Sequence, residues 1–85
     1  MDDEPGQHPR DADCEVDARG LLCPLPVLRL ARALRGRKAG TRIRLLATDP
    51  AAVEDVSTFC RERCCLLLES RESNGVYTFL VAQDG

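Results

Sequence analysis

In the run Gly20-Leu21-Leu22-Cys23-Pro24-Leu25-Pro26-Val27-Leu28, two prolines flank one leucine at the head of a helix-patterned segment, which restricts where a helix can begin. Proline has no N–H to donate and clashes with a preceding helical turn, so it is tolerated only where the first-turn N–H groups lack acceptors anyway. Downstream, Val27, Leu30, Ala31 and Leu34 recur at helical spacing while Arg29, Arg32 and Arg35 occupy another side, predicting an amphipathic helix from near Cys23 to about Arg37. Gly36, Lys38 and Gly40 supply a basic last turn and a flexible exit. Cys23 therefore falls at or just before the first turn, where free N–H groups and the positive end of the macrodipole are expected to lower its pKa and favour the reactive thiolate. Three places on, where a Cys-x-x-Cys redox pair would carry its resolving thiol, stands Pro26. A lone nucleophilic sulfur suits a group carrier better than a dithiol oxidoreductase. The competing reading is a small apolar residue plugging a helix end, since free cysteine is among the most buried residue types.

The rest of the chain reads as alternating strands and helices. Cys14, Val16 and Ala18 alternate with Glu15 and Asp17 as a short half-buried strand, and Arg19-Gly20 turns the chain into the cysteine segment. Thr41 to Ala47 is a second strand, with Ile43, Leu45 and Ala47 on one face and Arg42 and Arg44 on the other, which must therefore be wet. Strand, helix, strand implies a right-handed crossover and a parallel pair, so Cys23 lies on the rim where helices start. Asp49-Pro50 reads as the N-cap and first position of a second helix that begins on the same rim, with Val53, Val56 and Cys60 as its buried stripe and Phe59 beside it. Asp49 is first of all a cap, its other possible role being contact with a partner. Cys64–Ser70 and Val76–Ala82 are strand-like runs joined through Asn74-Gly75, a hairpin signal.

Eighty-five residues allow one small domain with a limited core. Residues 1–15 hold six acids against Arg10, a balance of −5; residues 16–85 hold the remaining eight acids and eleven bases, or +3. Residues 1–13, poor in large apolar groups, are expected to be a disordered acidic tail, with one folded domain over 14–85. No apolar run approaches the length of a membrane span, and the acidic opening is unlike a secretory signal, so the cytoplasm is the expected compartment. Five cysteines in such a chain read as reduced thiols. Cys60, Cys64 and Cys65 lack paired Cys-x-x-Cys spacing and the only histidine, His8, lies in the tail, so no metal is expected.

Val16-Asp17-Ala18-Arg19-Gly20-Leu21-Leu22-Cys23-Pro24-Leu25-Pro26-Val27-Leu28 resembles the signature of the TusA/SirA-like sulfur-carrier proteins, whose shared motif is Cys-Pro-x-Pro after a short strand and Gly-Leu. Asp49-Pro50-Ala51, Asp55-Val56 and Phe59-Cys60 resemble that family's second helix, and the likeness covers about residues 15–82. It implies an α+β two-layer sandwich, β-α-β-α-β-β, with a four-stranded mixed sheet and two helices on one face, the order that the residues give independently. It implies that Cys23 accepts a persulfide sulfur from a cysteine desulfurase or rhodanese-like donor and relays it to an acceptor protein, as in tRNA thiolation, without a cofactor and without turnover of its own. Gly20, Pro24 and Pro26 are then the structural members of the motif. Leu21, Leu22 and Leu25 offer an apolar collar for docking, with at least one of them expected in the core. Arg29 and Arg32 are either partner-steering charges or a solvated face. The expected state is a monomer that contacts neither membrane nor nucleic acid. A regulatory or binding module with a structural Cys23, and a redox switch pairing Cys23 with Cys60, Cys64 or Cys65, are the alternatives. One departure stands out: where many relatives have a Thr-Gly-His-like turn after the second helix, this chain has Arg63-Cys64-Cys65, without the usual glycine cap.

Overall fold

The computed structural model describes residues 12–84. Its elements are β1 (Cys14–Ala18), α1 (Leu25–Leu34), β2 (Arg42–Ala47), α2 (Ala52–Arg63), β3 (Leu66–Ser73) and β4 (Val76–Ala82), with the sheet ordered β1-β2-β4-β3. β1 and β2 run parallel; β2–β4 and β3–β4 are antiparallel, giving the expected mixed sheet under two helices. Among the described residues no helix is long and apolar enough to cross a membrane. Residues 1–11, most of the expected tail with His8, lie outside the described residues. Ala12 and Asp13 do not behave as tail: Ala12 is buried, and Asp13 exchanges bonds with Arg42 at 2.8 and 2.9 Å.

Strand register builds the core in rows. Cys14, Ile43 and Val81 align across three strands, as do Val16, Leu45 and Phe79, then Ala18, Ala47 and Tyr77. On these rows sit Pro26, Leu30 and Leu34 from α1 and Ala52, Val56 and Cys60 from α2, each set spaced four residues apart. Two expectations change here. Val27 and Ala31 are only half-buried, because the stripe through residues 26, 30 and 34 takes the sheet-facing positions and turns those two toward α2. Val53 is exposed, because Ala52 occupies the inward position of the first turn. The opposite sheet face carries exposed Arg42 and half-buried Arg44 as expected, but Leu80 is buried there, only 6% accessible between Arg44 and Glu69 in register.

α1 ends at Leu34, three residues short of the expected limit, because Arg35 turns to extended backbone and Gly36 takes a φ of 75°. β3 begins two residues later and ends three residues later than expected, with a bulge between Leu67 and Glu69. The hairpin turn holds Asn74 and Gly75 at φ 52° and 82°, the paired left-handed geometry that an Asn-Gly turn supplies.

The departure at Arg63-Cys64-Cys65 is resolved by Cys64 itself taking the left-handed role, at φ 60° and ψ 37°. The Cys64 and Cys65 N–H groups both donate to the Cys60 carbonyl, closing the helix as a glycine would allow. A residue with a Cβ is strained in this conformation by roughly 1–2 kcal/mol, and the Cys64 side chain is exposed, so little packing is at stake. Cys64→Gly is expected to stabilise the fold by about 0.5–1 kcal/mol after glycine's greater unfolded-state freedom is counted, read as a midpoint shift in denaturant.

Burial pushes the Cys60 thiol up from 9.0 to about 11, with Cys65 adding to the shift. A raised folded pKa gives stability that is complete below the unfolded value and lost as pH climbs through the folded one. Stability should therefore fall between about pH 9 and 11, by roughly 1–2 kcal/mol after solvent screening, and Cys60→Ala should flatten that limb of a chemical-denaturation series.

Candidate functional site

The reactive segment follows β1 and is pinned at each step. Arg19 grips Asp17 through its backbone N–H (3.1 Å), Nε (2.8 Å) and Nη2 (2.8 Å), which shapes the turn out of the strand and lowers the Asp17 carboxyl to about 2. Gly20 then takes a φ of 84°, a conformation costly for any residue with a Cβ. Its N–H donates to Thr48 Oγ1 at 2.9 Å, and the Cys23 N–H donates to Asp49 Oδ2 at 2.8 Å. The loop after β2 thus holds the loop after β1 through two side-chain oxygens. Leu21 packs against the core and fills the collar's expected buried position, while Leu22 stays outside. Pro24 joins Cys23 through a cis peptide and occupies the helix N-cap, and Pro26 is buried inside the first turn.

Asp49 is not the N-cap that the sequence suggests but a link between two loops. Its Oδ1 accepts from the Ala51 N–H at 3.0 Å while Oδ2 holds Cys23, so one carboxylate ties the start of α2 to the cysteine loop, and both bonds lower its pKa. The helix proper begins at Ala52, with Ala51 at the N-cap and no side-chain cap, later than Asp49-Pro50 implies because Pro50 and Ala51 form a preceding turn.

Cys23 is exposed, and its Sγ donates to Asp55 Oδ2 at 2.6 Å. The expected acidification is reversed here. The Asp55 hydrogen bond, then partial desolvation and the negative charges of Asp55 and Asp49, hold the thiol above its ordinary pKa. The helix start does not offset this. Pro24 and Pro26 have no N–H, the Leu25 and Leu28 N–H groups bond the Leu22 and Pro24 carbonyls, and the Cys23 N–H is taken by Asp49. The prolines that set the helix start also remove donors that would have stabilised a thiolate.

Beside Cys23 in the chain and along the first turns of α1, Leu22, Leu25 and Leu28 are 71%, 45% and 55% exposed, and Val53 is exposed on the first turn of α2. Arg29 and Arg32 are exposed on α1, beside Leu25 and Leu28. From Pro24 and Asp55 a groove of about 400 Å³ runs between the helices over Val27, Leu28, Ala31 and Phe59. The sequence alone does not mark Asp55, Thr48 or Leu28 as site residues. The parallel topology that puts Asp49 on the Cys23 rim also puts the first turns of α2 there, and Leu28 is one helical turn beyond Leu25; Thr48 left no comparable signal. Among the described residues no cluster of three or more His, Cys, Asp or Glu side chains is arranged to hold a metal.

An α+β sandwich that presents one cysteine on an open rim, tethered through its backbone and met by a carboxylate from the neighbouring helix, defines a class of thiol-presenting small proteins. Residues 14–83 match the family described as Sulfurtransferase TusA, and the chain belongs to that TusA/SirA-like family. It is 41% identical over 71 residues to the sulfur carrier protein TusA of Allochromatium vinosum, covering 84% of this chain and 93% of the relative. The TusA protein of Pseudomonas putida strain W619 is 36% identical over 69 residues, covering 81% and 86%. In fold, the chain is similar to the crystal structure of a SirA-like protein from Desulfitobacterium hafniense, with a TM-score of 0.74 at 23% identity, over 85% of this chain and 99% of that one.

Proposed function

We propose that the protein is a sulfur carrier in which Cys23 receives a sulfane sulfur from a donor protein and hands it to an acceptor protein. The observation that carries this reading is the exposed Cys23 thiol bonded at 2.6 Å to Asp55, set among Leu22, Leu25 and Leu28 on an open rim. In loading, Cys23 Sγ attacks the terminal sulfur of a donor persulfide; the Sγ–S bond forms, the donor's S–S bond breaks, and the donor leaves as a thiolate. The proton lost from Cys23 passes to Asp55 or water. In delivery, an acceptor thiolate attacks the terminal sulfur of the Cys23 persulfide, and Sγ leaves with the electron pair and is reprotonated. Each step is redox-neutral exchange at divalent sulfur, governed by thiolate fraction, leaving-group pKa and access.

Asp55 sets the resting state in this scheme. Its charge keeps unloaded Cys23 as a thiol and makes Sγ a poorer leaving group once loaded, so the sulfur is retained against stray small thiols. A partner cation that engages Asp55 or Asp49 removes that restraint and promotes transfer. The family's chemistry implies donor and acceptor proteins as partners, with cysteine desulfurases or rhodanese-like proteins on the supply side. tRNA thiolation is one route such a carrier serves.

The redox alternative finds little support. Cys64 and Cys65 lie some nine or ten residues along α2 from Asp55, about 13 Å or more at the helical rise, and a disulfide requires Cα atoms within about 7 Å. Cys60 is buried in the core. Incubation with a cysteine desulfurase and cysteine, read by intact mass, tests the proposal: the protein should gain one sulfur at Cys23 and lose it to an added acceptor. A loss of two hydrogens instead, marking an internal disulfide, would overturn it.

A further inference from the structure

At the end of the helix pair away from Cys23 lies a second cavity, about 500 Å³, which the sulfur chemistry leaves unused. Its apolar surfaces come from Leu28, Leu34 and Phe59, and its polar wall includes Arg32, Arg35 and Arg63, with no carboxylate among the lining residues. We infer that this cavity is a binding site for a small organic anion with a flat apolar body, such as an aryl carboxylate or sulfonate.

The ordinary role for arginines here would be to satisfy helix C-terminal carbonyls, and that role is already filled. Gln83 Nε2 donates to the carbonyls of Leu34 (2.7 Å) and Arg37 (3.4 Å), and Arg37 Nε donates to Ala33 (3.0 Å). The Arg35 N–H takes the Arg32 carbonyl at 3.3 Å, and the Cys64 and Cys65 N–H groups close α2 on Cys60. Among the described residues none of Arg32, Arg35 and Arg63 is ion-paired with a carboxylate. Arg63 is held over the Phe59 ring, 5.4 Å from its centroid, which fixes a cation beside an aromatic face.

Electrostatics and size agree. Two helix C-termini contribute about half a negative charge each, well short of three guanidinium charges. The adjoining groove shares Arg63 but adds Glu54, Asp55 and Glu62, so the carboxylates line that side while the arginine cavity is lined by none. A volume near 500 Å³ falls within the range of small-molecule pockets.

The test titrates the full chain with 1-anilinonaphthalene-8-sulfonate, an aromatic sulfonate, followed by fluorescence and by amide shifts in NMR. The neutral analogue N-phenyl-1-naphthylamine has the same apolar body without the charge. We expect one saturable site with shifts centred on Gly36, Cys65 and Gln83, about tenfold weaker binding of the neutral analogue, and a similar loss in Arg32→Gln and Arg63→Gln. Arg35→Gln, at an exposed position, is a further variant whose fold is not in question. Leu22→Ser should bind as the parent does. Equal binding of the neutral analogue, or loss on Leu22→Ser but not on the arginine changes, would place the probe on the exposed leucines and overturn the inference. Displacement of the sulfonate by a glutamate-rich peptide at lower concentration would overturn it too, in favour of a protein segment.

Discussion

With serine at position 23, the chain should gain no sulfur when treated with a desulfurase and cysteine, while the parent gains one. The loss is expected to be complete, because a hydroxyl cannot form a persulfide and the other thiols are poorly placed. Cys60 and Cys65 are buried and Cys14 is half-buried. Cys64 is exposed, yet it sits at the far end of α2, away from the rim and the leucines beside Cys23 where a donor would dock, so Cys64→Ser should load as the parent does. Intact mass on the three proteins decides the matter. Full loading of Cys23→Ser would move the chemistry to another cysteine and undo the carrier assignment as drawn.

Asp55→Asn should free the thiolate. The shift in Cys23 is upward, with the Asp55 hydrogen bond first among its causes and the charges of Asp55 and Asp49 contributing. An amide in place of the carboxylate removes one negative charge, weakens the acceptor that holds the thiol proton and offers an N–H donor to a thiolate, so the folded-state pKa must fall. At neutral pH the thiolate fraction then rises, and alkylation by iodoacetamide should be several-fold faster than in the parent, with its pH–rate midpoint moved to lower pH. The loaded variant should also surrender its sulfur several-fold faster to a small thiol, because Sγ has become the better leaving group. A midpoint that stays in place or rises would show that Asp55 does not set the protonation of Cys23. Asp49→Asn should produce a smaller change, since Asp49 acts through charge and through the Cys23 backbone rather than by touching the sulfur.

Much of this architecture can be read from the chain. The proline pair marks a helix start, alternation over Cys14–Ala18 and Thr41–Ala47 marks two strands that the strand-helix-strand order makes a parallel pair, and Asn74-Gly75 gives the hairpin. Placing Cys23 on an open rim follows from that topology. What escapes is what depends on a partner distant in sequence. The Cys23–Asp55 bond joins residues 32 positions apart, and the Gly20–Thr48 bond joins residues 28 apart. Nearby N–H groups alone would lower the thiol's pKa, and the distant carboxylate reverses that direction. Val53 is exposed for a related reason: a stripe is fixed by which residue of the first turn faces the sheet, and Ala52 does so here. The acidic cluster of Asp49, Glu54 and Asp55 reads in sequence as capping and first-turn charge, and only the crossing of two loops turns part of it toward a sulfur.

The bulge between Leu67 and Glu69 bears on how many molecules can share a confined space. β3 is an outer strand with Leu66 and Leu68 turned to water, the kind of border along which sheets of neighbouring molecules fuse end on end. By inserting Leu68 out of register and following it with Glu69, Arg71 and Glu72, the chain breaks that border after its first residues and twists it away from a flat ladder. Crowded copies are thereby denied a template for fibrous growth, although the strand's greasy beginning stays in view.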